Sequence, residues 1–199
     1  MQQKIAAFAE VIESSLTHCK GQSWQWDRFP EYGSLICIRE SQRILFGVVT
    51  HITTGSPDTG RTPFIYQKTE DELKRDHPHI FAFLQTTFTC TLVAFQENER
   101  LFYQTAPTPI KIHAFIEQPT LQEQRLFFKK HDYLFNLHAH QQLASSELLL
   151  ALLKQQHNLG LLTKEHFFTC LELLNLLEGD NYTRTSLLIG RAAQLIEPI

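Results

Sequence analysis

Leucine and threonine exchange places near residue 120. Residues 1–120 hold 7 Leu and 14 Thr, whereas residues 121–199 hold 21 Leu and 4 Thr. β-Branching stiffens χ1 and suits a pleated strand, while Leu loses little rotamer freedom in a helix. The chain therefore has to join a β-rich module to an α-helical one, and the expected fold class is α+β.

Inside the first module the pattern is uneven. Ile5, Phe8, Ala9, Ile12 and Leu16 recur at three- and four-residue spacing. That spacing predicts an amphipathic helix over 3–18, closed by Gly21. Runs at Ser34–Arg39, Ile44–Thr53, Thr86–Phe95, Leu101–Gln104 and Ile110–Ile116 are short, rich in β-branched and aromatic residues, and bounded by polar turns or prolines. Short strands so joined predict a small antiparallel barrel or sandwich. Between the second and third runs, Thr69 and Glu72 have the spacing of a capping box, and Ile80–Leu84 reads as a short second piece. Beyond 120 helices are expected over 121–137, 145–157, 163–177 and 182–196, with Asp180 or Asn181 capping the last. Short links between them argue for antiparallel neighbours. The expected organisation is an N-terminal helix (1–22), a β-barrel (23–120) and a helical domain (121–199).

Net charge is −3, and acidic and basic residues are evenly divided between the two modules. No basic face for a nucleic-acid duplex shows in this balance. Cys19, Cys37, Cys90 and Cys170 are widely spaced with no CxxC pair, which fits free buried thiols better than a disulfide framework. Glu10 and Glu13 interrupt the N-terminal apolar residues, so that segment reads as neither secretory signal nor membrane span. A cytoplasmic protein without membrane contact is expected.

Four features invite a chemical reading. Gly55–Thr62 (GSPDTGRT) has the frame of a phosphate-binding loop, but Arg61 replaces the lysine and Pro63 follows where a helix should open. The sequence thus argues against nucleotide binding there. Among ten histidines, His138 and His140 form an HxH pair with His131 nearby, and His77 and His79 form another. A small metal-dependent hydrolase using His131, His138 and His140 is an alternative reading, although no Cys or carboxylate is spaced to complete a ligand set. Trp24 and Trp26, with Phe29 and Tyr32, could stack on single-stranded bases, or pack on the barrel. Finally, no nucleophile motif stands out. No residue is assigned as catalytic, cofactor-binding or metal-binding, and no cofactor is expected.

The order of features from Tyr32 to Thr120 resembles a known family. Gly33 precedes the strand Ser34–Ile38. The second strand carries Phe46-Gly47-Val48-Val49, and a long loop-and-helix insertion follows. Thr89–Phe95 comes next, then a strand ending at Pro107-Thr108-Pro109 before Ile110–Ile116. This pattern resembles the HAS barrel of HerA-type ATPases and of rotary ATP synthase N-terminal domains, in a stand-alone form with a helical tail. The resemblance implies a barrel used for assembly and partner contact, with no ATPase domain and no catalytic residues to carry over. The leading expectation is a non-catalytic interaction or adaptor protein that docks on a protein partner or self-assembles.

Overall fold

The computed structural model describes residues 7–57, 64–142, 146–178 and 186–192. The described residues form seven strands: β1 (Ala7–Ser14), β2 (His18–Ser23), β3 (Leu35–Arg39), β4 (Arg43–Gly55), β5 (Gln85–Glu97), β6 (Arg100–Phe102) and β7 (Phe115–Glu117). All pairings are antiparallel. The order β2-β1-β7-β3-β4-β5 closes on itself through β2–β5, giving a six-stranded barrel, and β6 extends β5 outside the ring.

Among the described residues the helix expected over 3–18 is not formed. Residues 7–23 make a hairpin instead, with Ala9 paired to Ser23 and Ser14 to Cys19. Ser15 turns the chain: its amide donates to the His18 carbonyl, and its hydroxyl accepts from the His18 amide. The reason is tertiary. β1 and β2 fill the gap between β7 and β5, and a helix there would leave two strand edges unpaired. Buried Ala9 and Val11 follow the strand period of two. Gly21 belongs to β2, not to a helix end. A Cβ on it would lie 2.5 Å from Ile116 Cδ1 and 2.7 Å from Phe88 Cζ, so only glycine lets the strand pass this close to the barrel interior.

The other strands match expectation except one. The Ile110–Ile116 run yields only Phe115–Glu117, because Lys111–Ala114 forms a turn with His113 at φ 66°. In the β5–β6 hairpin Asn98 and Glu99 both have positive φ, the pair needed by a two-residue turn matched to strand twist.

Between β4 and β5 projects an arm. It holds α1 (Glu70–Asp76), capped by the expected Thr69–Glu72 box, and a 3-10 helix over Pro78–Phe83. The helical tail consists of α2 (Leu121–Phe128), α3 (Tyr133–Ala139), α4 (Ser146–Asn158), α5 (Lys164–Glu178) and a helical segment over 186–192. The single helix expected over 121–137 is thus two, broken at Lys129–Asp132. The proposed caps Asp180 and Asn181 lie outside the described residues. No helix among those described is long and apolar enough to cross a membrane.

Alternation along the strands supplies two cores. Ile36, Ile38, Leu45, Phe88, Cys90 and Ile116 fill the barrel. Their neighbours Leu35, Cys37, Phe46 and Val93 point outward and join Phe127, Tyr133, Leu137, Leu148 and Leu152 in a second core under the helices. The tail is therefore packed on the barrel wall. Arg39 adds a polar tie: its Nε donates to Glu117 at 2.9 Å, and its terminal nitrogens donate to both oxygens of Glu123 at 2.8 and 3.0 Å. Glu123 also completes the capping box of α2 with Thr120.

Candidate functional site

Donor side chains of the type that hold a soft metal converge at one place in the tail. Thr163 accepts the backbone amide of His166 and so fixes the start of α5. Cys170 lies one turn further on. Residues four apart share a helix face, so the imidazole of His166 and the thiol of Cys170 project to the same side. His131 reaches them from the break between α2 and α3. One ligand atom from each of the three residues lies within 4.8 Å of the other two. The rings of His131 and His166 are 4.1 Å apart between centroids.

The two imidazoles are half-buried and the thiol is buried. His131 Nε2 and His166 Nε2 are buried and have no hydrogen-bond partner. Burial, then the His131 ring, lower the pKa of His166 to about 4, and burial lowers that of His131. Both rings are thus neutral near pH 7 and each keeps a lone pair. Burial pushes the Cys170 thiol up to about 12, against the pull of a hydrogen bond with Tyr133. Tyr133, fully buried, also accepts from Gln156 Nε2 at 3.4 Å.

The structure divides the histidines differently from the sequence expectation. His131 joins His166 and Cys170, not His138 and His140. His140 instead meets His18 edge-on, with centroids 5.6 Å apart. Among the described residues no other group of three such donors is close enough for a metal. His77 and His79 pack in the arm, with Tyr66 against His77. His166 and Cys170 were missed because each looks ordinary alone. The available signal was their i, i+4 spacing inside a helix already expected over 163–177.

The four cysteines are free and buried. Cys19 and Cys90 face each other across β2–β5, and burial holds the Cys90 thiol well above its usual range. Trp26 stacks on Phe81 at 5.6 Å, which anchors the arm and occupies one face of the ring. Trp24 donates from Nε1 to Glu10 at 3.0 Å and meets Phe115 edge-on. Gly55 ends β4, and most of the phosphate-loop look-alike lies outside the described residues. A cavity of about 350 Å³ opens between the barrel and α4, lined by Phe8, Arg28, Phe29, Glu31, Leu35 and Gln155 among others. Arg28 and Glu31 are its charged groups, and Glu31 is already bonded to Gln155.

The arm is the other unusual surface. Over 64–84 no residue is buried. Phe64, Ile65 and Phe83 are 76%, 79% and 63% exposed. Polar pins hold its shape: Lys74–Glu70 at 2.6 Å, Lys68–Asp76 at 3.0 Å and the Thr69–Glu72 cap. No protein-family model matches the chain, and no curated protein matches it significantly.

Proposed function

We propose that this chain is a non-catalytic interaction protein of the cytoplasm, which docks a protein partner through the arm between β4 and β5. One observation carries the reading. The arm exposes three large apolar side chains, Phe64, Ile65 and Phe83, to solvent, while capping and ion pairs fix α1 without them. Large apolar side chains left exposed on a charged segment mark contact surfaces for other proteins. Two further points support it. The closed six-stranded barrel supports reading this domain as a HAS-type barrel, a domain that serves assembly. Four free buried thiols suit a reducing compartment.

The test is a triple substitution, F64S/I65S/F83S, in the full chain. Exposed positions contribute little to stability, so melting should stay within about 0.5 kcal/mol of wild type. A partner captured at stoichiometric yield by the wild type should be lost from the variant. Capture of the same partners by both proteins would refute docking through the arm. Loss of a homodimer peak in light scattering, with no other partner found, would replace it with self-assembly.

A further inference from the structure

We propose that His131, His166 and Cys170 bind one divalent cation of the zinc class, clipping the connection between α2 and α3 onto α5.

Three independent observations point there. The first is donor chemistry. Two imidazoles and a thiol select a borderline or soft ion, and the absence of a carboxylate from the group disfavours calcium and magnesium. The second is geometry. Tetrahedral zinc with bonds near its usual N and S lengths separates its ligand atoms by about 3.3–3.7 Å. The present atoms lie within 4.8 Å of one another, so side-chain rotations of about 1 Å or less per donor close the site. The third is the pair of orphaned nitrogens. A buried imidazole nitrogen with no partner is costly, and two such atoms side by side are rare in native interiors. A Leu or Phe would fill the same space at no polar cost. A metal accounts for both orphans at once.

The donors also come from two elements far apart in sequence. His166 and Cys170 share one face of α5, and His131 sits at the break that splits the expected 121–137 helix. Coordination would therefore stabilise tertiary docking, not one helix alone. Three protein donors leave a fourth position for water or another small ligand. On binding, the thiol proton of Cys170 passes to solvent and the thiolate becomes the ligand.

Cobalt(II) is the probe, because tetrahedral cobalt absorbs visibly and a thiolate ligand adds a near-ultraviolet charge-transfer band. The full chain, stripped with chelator, is titrated with cobalt and then with zinc. The expected result is one cobalt per chain with both sets of bands, displaced by zinc. In C170A the charge-transfer band should vanish. In H166N affinity should fall by more than the ~10–100-fold typical of losing an outer-shell partner. H138A/H140A should bind as wild type does. Circular dichroism of each metal-free variant separates lost ligation from lost fold. A wild-type chain that binds no cobalt overturns the proposal, as does a folded C170A with the same spectrum and affinity.

Discussion

Replacing Gly33 by Ala tests whether barrel and tail form one packed unit. Gly33 has φ +79° just before β3, and its amide donates to the Val49 carbonyl at 2.9 Å. A Cβ there would lie 2.6 Å from Ala151 Cβ, and 3.1 Å from both the Ala151 carbonyl carbon and the Leu152 nitrogen. Two of those atoms are α4 backbone and cannot swing aside. The left-handed conformation costs Ala about 1–2 kcal/mol. Forcing the helix off the barrel adds about 1–3 kcal/mol, the usual range for overpacking. G33A should therefore lose about 2–5 kcal/mol. The control is G160A, with φ +66° and nothing within 4 Å of the new Cβ. It bears the conformational cost alone, about 1–2 kcal/mol. Urea unfolding with linear extrapolation measures both. Equal losses in G33A and G160A would mean α4 does not press on Gly33, and the shared core would be wrong.

Two further predictions concern the barrel and its tie to α2. The Arg39 hydrogen bonds, with help from Thr120, hold the Glu123 carboxyl down at about 2. Its folded pKa is depressed, so the stabilisation is full above the unfolded value near 4.5 and is lost as pH falls towards 2. The pair is partly exposed, so after solvent screening about 1–2 kcal/mol is at stake. R39M should lower stability at pH 7 and flatten the loss between pH 4.5 and 2; an unchanged acid limb by thermal melting would discount the network. In the barrel, G21A should cost about 1–3 kcal/mol through its clash with Ile116 and Phe88. Because Ile116 Cδ1 is the nearest atom, adding I116V should recover part of that cost, and a purely additive double mutant would contradict the geometry.

The sequence by itself determined the order of the modules. Thr alternating with Phe88, Cys90, Leu92 and Ala94 buries one face as sheet, and Leu-dense runs with Thr163 and Gly160 at their borders read as helices. The Thr69–Glu72 and Thr120–Glu123 boxes are local chemistry, complete within four residues. Burial on both faces of β3 was foreshadowed by Leu35-Ile36-Cys37-Ile38, apolar at every position. Tertiary structure decided the rest. Phe8, Ala9, Ile12 and Leu16 fit the helical period expected over 3–18 and yet lie in the hairpin of β1 and β2, because the barrel has two edges that only strands can satisfy. Gly21 reads as a helix stop until Ile116 and Phe88 stand over it. His131 lies 35 positions from His166. Nothing local relates them, and only the fold of α5 across the α2–α3 break brings their nitrogens and the Cys170 sulfur together.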